Sequence, residues 1–145
     1  MSLGIPFEFR PTEKLICAGS LNPEAIRLAA AEDVVQVINL CGVGEVDWDE
    51  EGAVQQVGMS YHAIPISSAA DLSAANVDRL LELLDETPGK TLLHCASSNR
   101  VGALVALATQ RKGATIEQAL AVGRSAGLKG LEPTVAMLLA QASSS

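Results

Sequence analysis

Short runs of apolar, often β-branched residues alternate along this chain with stretches of helical period. Leu15–Ala18 is a brief apolar run closed by Gly19-Ser20. Asn22-Pro23 has the form of an N-cap followed by proline at the first helical position and predicts a helix to about Glu32. Val34–Leu40 (VVQVINL) is almost continuously apolar, the pattern of a strand covered on both faces. Cys41-Gly42-Val43-Gly44 interrupts it, and Asp49–Val57 reads as a short helix. Ser60–Ile66 predicts a second strand that leaves the ladder at Pro65. From Ser73 onward Val77, Leu80, Leu81 and Leu84 share one helical face, with Asp78, Glu82 and Asp85 on another. Thr87-Pro88-Gly89 ends that helix, and Lys90–His94 forms a third buried strand that runs directly into Cys95. Helical period resumes by about Arg100 and lasts to Gly113. Thr115 to Gln118 has the form of a capping box and opens a helix to about Ser125. Pro133 opens the last helix, and the terminal serines 143–145 read as a fraying end. Strands alternating with helices argue for an α/β architecture.

The chain has 145 residues, the size of one domain able to bury a core without covalent staples. Apolar residues make up 48% of it, which excludes a disordered tail. No apolar run approaches the ~20 residues that span a bilayer. The N-terminal segment MSLGIPFEFRPTEK carries acidic residues and lacks an apolar core, so no signal peptide and a cytoplasmic location are expected. The net charge is −7, and positive charge gathers only at Arg10, Lys14 and the Arg111-Lys112 pair. Neither a nucleic-acid nor a membrane partner is expected from that balance, and the pattern specifies no oligomeric state. Any anion must be bound locally, by backbone N–H groups and one or two arginines.

The three cysteines, Cys17, Cys41 and Cys95, form no disulfide framework, and no Cys-x-x-Cys pair exists. His62 and His94 lie far apart, so no metal site and no cofactor are expected, and reduced thiols suit the cytoplasm.

The chemistry is concentrated in residues 94–102, HCASSNRVG. An apolar strand ends in Cys95, a run of small residues follows, and Arg100 stands at a helix start. A helix N-terminus presents unpaired N–H groups and positive partial charge. Small residues let successive N–H groups converge on one anion, and Ala96, Ser97, Ser98 and Asn99 are small enough to do so. A thiol at the strand end faces the same field. The Arg100 guanidinium offers a planar fork matched to two oxygens of phosphate or sulfate.

HCASSNRVGAL resembles the signature H-C-x-x-G-x-x-R of the cysteine-dependent phosphatases. More closely, the chain resembles the bacterial phosphatase-like domain found alone or fused to beta-lactamase-like hydrolases. The likeness also includes Cys17-Ala18-Gly19-Ser20 with Asn22-Pro23-Glu24, VVQVINL with Glu45 after it, YHAIPI, and EQALAVGRSAGLKGLEP, and spans about residues 10–140. It implies a single compact dual-specificity-phosphatase-like α/β domain over residues 1–145, with a central, mostly parallel sheet of four or five strands flanked by helices. It implies a phosphomonoester hydrolase in which Cys95 is the nucleophile and Arg100 the oxyanion clamp, with Ala96, Ser97, Ser98, Asn99 and Val101 lining the substrate. His94, Asn39 and Glu45 would support the loop. The general acid that such a reaction needs is assigned to Asp71, whose other reading is a cap of the Ser73 helix.

Three departures from the phosphatase pattern bear on function. Four residues separate Cys95 from Arg100 where the pattern has five, a spacing that matches rhodanese-type sulfurtransferases. Ser98 stands where glycine is usual, which is strained if that site needs φ > 0. Val101 stands where phosphatases carry a hydroxyl. Three functions therefore remain open: phosphatase, sulfurtransferase acting on a sulfane-sulfur substrate, and non-catalytic oxyanion-binding domain.

Overall fold

A computed structural model describes residues 2–144. Five strands form one sheet: β1 (Glu8–Thr12), β2 (Leu15–Ala18), β3 (Val34–Asn39), β4 (Ser60–Ala63) and β5 (Lys90–His94), in the order β1-β2-β5-β3-β4. All neighbours are parallel except β1 and β2, which form an antiparallel pair. Six helices accompany them: α1 (Pro23–Ala31), α2 (Glu50–Gln56), α3 (Ala74–Glu86), α4 (Asn99–Arg111), α5 (Ile116–Ser125) and α6 (Glu132–Ser144).

The sheet is covered on both faces, which explains the continuous apolar runs. Ile16, Val37 and Leu92 pack with Ala25 and Ile26 of α1 and Val54 of α2. Their chain neighbours Cys17, Ile38 and Leu93 face the other way, into a larger core with Val77 and Leu80 of α3 and Leu104 of α4. This is the period-two alternation of a strand, with apolar residues required at both phases. Caps set the helix starts: Asn22 Oδ1 accepts from the Ala25 N–H at 2.8 Å, and Thr115 and Gln118 exchange side-chain-to-backbone bonds at 3.1 and 2.9 Å.

The structure departs from the sequence reading in four places. The segment Glu8–Thr12 is a strand, held by pairing with β2 rather than by any alternation of its own. Strand β4 ends at Ala63, although the Ile64 and Ile66 N–H groups still donate to Asn39 O and Leu40 O at 2.9 Å each. In α3 the buried residues are Val77, Leu80 and Leu83, with Leu81 and Leu84 only partly covered. Ser143 and Ser144 belong to α6 rather than to a frayed tail; Ser145 lies outside the described residues.

Strands β2, β3, β4 and β5 all point the same way, so the loops after Ala18, Asn39, Ala63 and His94 gather at one end of the sheet. β5 is central, inserted between β2 and β3, whose connection through α1 passes over it. Loops that diverge around such a central strand form the crevice in which open α/β sheets bind ligands.

Candidate active site

Cys95 follows directly on β5. Its N–H donates to Ala18 O at 3.1 Å, which fixes the sulfur-bearing residue against the end of β2. The next residues turn back: the Ser20 N–H donates to Ala96 O at 3.2 Å, and Ser97 bridges to Gly19. Ser98 then caps α4 in the left-handed region, with φ 68° and ψ 2°. Its side chain makes no cap bond; the Oγ donates instead to Ala126 O at 2.7 Å. So the site does require φ > 0, and a serine occupies it at a cost of about 1 kcal/mol. The hydrogen bond to Ala126 O offsets that cost.

Asn99, Arg100 and Val101 are the first residues of α4, whose N–H groups have no acceptor inside the helix. Among the described residues no other acceptor takes the N–H of Asn99 or Arg100. Those donors and the positive end of the helix face the turn that begins with Cys95.

The Arg100 guanidinium is fixed on one edge. Nη1 donates to Glu45 Oε1 at 2.8 Å and to Ile66 O at 3.0 Å, and Nη2 donates to Glu45 Oε2 at 2.6 Å. Glu45 Oε1 also accepts the Gly42 N–H at 2.8 Å, so the clamp is tied to the loop after β3. The Arg100 bond, and then the Gly42 N–H, hold the Glu45 carboxyl down to about 2. The same pairing, with the nearby Cys95 sulfur, raises Arg100 above its ordinary value. A guanidinium has five N–H donors. Three are committed to Glu45 and Ile66, and the Nε–H and the second Nη2–H remain on the opposite edge. That edge is a two-pronged donor for two oxygens of one oxyanion.

Cys95 itself is 1% exposed. Burial, and then the neighbouring Glu45, pushes Cys41 up to about 12, and burial raises Cys17 further still. Both are held as thiols. All three cysteines are free and buried, and among the described residues no His/Cys/Asp/Glu cluster has the arrangement of a metal site.

The remaining residues singled out in the sequence fall into different roles. His94 is buried behind the turn; its Nδ1 donates to Cys95 O at 3.1 Å, and its Nε2 is 2.6 Å from Glu50 Oε2. Asn39 accepts the Cys41 N–H at 2.8 Å and donates to Tyr61 Oη at 3.0 Å. Three residues assigned to line the substrate direct their side chains elsewhere. Ser98 is turned toward Ala126, Val101 is fully buried in the core, and Asn99 Oδ1 accepts the Lys129 and Leu131 N–H groups at 2.8 and 3.3 Å. The physical reason lies in how α4 starts: Ser98 and Asn99 face the α5–α6 connection and Val101 faces the core, so the backbone of this segment is what is left to the turn.

Asp71 ends a 3-10 turn, Ala69–Asp71, and its Oδ2 accepts the Ser67 and Ser68 N–H groups at 2.8 and 3.3 Å. It therefore shapes the turn that follows Ile66, whose carbonyl holds Arg100. Its Oδ1 has no partner among the described residues. Sequence reasoning did not find Glu50, Tyr61 or the Ile66 carbonyl; Glu50 lies 44 residues from His94, and no local pattern links them.

No family model and no curated protein matches the chain. Solved structures do. The DUF442 protein of Shewanella putrefaciens CN-32 is 22% identical, with 96% of this chain and 94% of that one aligned at a TM-score of 0.73. The nma1982 protein of Neisseria meningitidis Z2491 aligns with 90% of this chain and 94% of its own at a TM-score of 0.76 and 18% identity. TpbA of P. aeruginosa, solved in complex with pTyr, aligns over 97% of this chain and 93% of its own at a TM-score of 0.66 and 20% identity. Kinase associated phosphatase, solved with its catalytic cysteine changed to serine, is also similar, at a TM-score of 0.71 and 15% identity. The chain shares the α/β fold of these phosphatases.

Proposed function

We propose that the protein is a cysteine-dependent phosphomonoester hydrolase of the phosphatase type. The observation that carries this reading is the Arg100 guanidinium, locked by Glu45 on one edge and free to donate on the other, beside Cys95 and the start of α4. The shared fold supports it.

In this reading a phosphoryl group enters the turn and two of its oxygens take the free edge of Arg100. The N–H groups of Asn99 and Arg100 stabilise the charge that builds on the equatorial oxygens. Cys95 Sγ, as thiolate, attacks phosphorus; the S–P bond forms and the bond to the leaving oxygen breaks. Asp71, or water, supplies the proton to that oxygen. Water then attacks phosphorus, releasing inorganic phosphate and returning the electron pair to sulfur. His94 holds the Cys95 carbonyl and keeps the turn in place.

The test is hydrolysis of an aryl phosphate. Turnover that disappears in Cys95→Ser is expected; wild-type turnover no faster than Cys95→Ser overturns the reading.

A second reading is favoured by one observation, the four-residue interval between Cys95 and Arg100. In a sulfurtransferase Cys95 would carry a persulfide in the same turn. Incubation with a persulfide donor and intact mass separates the two, since only this reading expects an added mass of about 32 Da on Cys95.

A further inference from the structure

A single chain of hydrogen bonds leaves the nucleophile, passes behind it and returns at the clamp. It starts at Cys95 O, which accepts from His94 Nδ1. His94 Nε2 meets Glu50 Oε2 at 2.6 Å, and Tyr61 Oη donates to that same oxygen at 3.0 Å. Asn39 Nδ2 donates to Tyr61 Oη, and Asn39 Oδ1 accepts the Cys41 N–H. From Cys41 the backbone runs to Gly42, whose N–H is held by Glu45, the partner of Arg100.

The directions follow from the chemistry of the groups. A carbonyl only accepts, so His94 Nδ1 carries a proton. Asn39 is oriented by the Cys41 N–H, which requires its oxygen, so its nitrogen donates to Tyr61. Tyr61 therefore gives its own proton to Glu50; burial, and then Glu50, makes the phenol a weaker acid, which keeps that proton in place. One carboxylate oxygen thus holds both arms.

The Glu50 and His94 side chains are 2% and 1% exposed. Glu50 Oε1 has no partner among the described residues, and Glu50 lines a cavity of about 140 Å³ with Ser20, Cys41, Glu45, Asp47 and Trp48. A carboxylate buried with one oxygen unpaired is costly for folding alone. Its use is geometric.

We propose that Glu50 is a positioning residue for the nucleophile and the clamp together. Through His94 it sets the Cys95 carbonyl and the peptide that opens the turn. Through Tyr61 and Asn39 it sets the start of the loop on which the partner of Arg100 sits. The consequence for turnover rests on the phosphatase reading, whereas the consequence for thiol reactivity does not.

Glu50→Gln is nearly isosteric but lacks the charge that holds both arms. An amide nitrogen at the Oε2 position can donate to His94, yet it no longer accepts from Tyr61; an amide oxygen there accepts from both only if His94 is doubly protonated, a buried charge with no carboxylate beside it. The expected result is a folded protein whose Cys95 is alkylated by iodoacetamide about 10-fold more slowly than wild type. Aryl phosphate kcat falls by a similar factor with KM little changed. Tyr61→Phe cuts only the second arm and is expected to lower both rates about 3-fold. Because the two residues act in series, the double variant is expected to be no slower than Glu50→Gln alone. A folded Glu50→Gln with alkylation within about 2-fold of wild type overturns the proposal, as do additive effects in the double variant. If Glu50→Gln does not fold, Tyr61→Phe decides, and an unchanged alkylation rate overturns it. If the wild type shows no phosphatase turnover, the alkylation rates still decide this proposal, so the two readings fail separately.

Discussion

Gly127 is the position at which packing on the far side of the turn shapes the turn itself. Its φ is +108°, and a Cβ built there would lie 2.6 Å from Ser98 Cβ, 2.7 Å from Ser98 O and 2.8 Å from Ser98 Oγ. Gly127→Ala therefore imposes two separable penalties. A non-glycine residue at that φ costs about 1–3 kcal/mol. Forcing a methyl group against Ser98 costs about 1–3 kcal/mol more. The total, about 2–6 kcal/mol, is a large part of the ~5–15 kcal/mol that stabilises a domain. Gly113 provides the control: its φ is +109° and no atom lies within 4 Å of a Cβ built there. Gly113→Ala therefore carries the backbone strain without the crowding. The assay is urea unfolding of both variants. With m of about 2 kcal/mol per molar, the midpoint of Gly127→Ala is expected about 0.5–1.5 M below that of Gly113→Ala. Ser98→Gly removes two of the three crowding atoms, so in that background the additional penalty of Gly127→Ala shrinks by about 1 kcal/mol or more. Equal midpoints for Gly127→Ala and Gly113→Ala would refute the argument that Ser98 is wedged against residue 127.

Two further outcomes follow from Arg100 and its partner. The Glu45 carboxyl is held at about 2, below its ordinary 4.5, so its bond to Arg100 contributes fully above about pH 4.5 and is lost as pH falls toward 2. The side chain is 37% exposed, and screening reduces the contribution to about 1 kcal/mol. Wild type is therefore expected to exceed Glu45→Gln in unfolding free energy at pH 7 and to lose that advantage by pH 2; a gap independent of pH contradicts this. Arg100→Lys replaces the two-edged fork by a point charge that cannot hold Glu45 and an oxyanion together. Aryl phosphate kcat is expected to fall about 100-fold or more, measured at saturating substrate; a smaller loss than 10-fold removes the fork from the mechanism.

What the sequence determined by itself was whatever a local pattern can specify. VVQVINL required apolar residues at both strand phases and is the strand between β5 and β4, covered on both faces. Asn22, Ser73 and Thr115 cap the helices that they precede, because a cap acts within three residues of itself. The strand, cysteine, small residues and arginine lie in one short segment, so their joint placement at a helix start was legible. The tertiary structure decided what depends on partners distant in sequence. The segment EFRPT is a strand only because β2 offers it an edge. Arg100 presents one edge of its guanidinium because Glu45, 55 residues away, takes the other. Ser98, Asn99 and Val101 turn their side chains from the turn because α4 packs against the α5–α6 connection and the core there. Glu50 meets His94 because α2 lies over the end of β5, a contact that no periodicity along the chain encodes. Caps and strand alternation are written in neighbouring residues, whereas pairing across the sheet and through a buried carboxylate exists only after the chain has closed on itself.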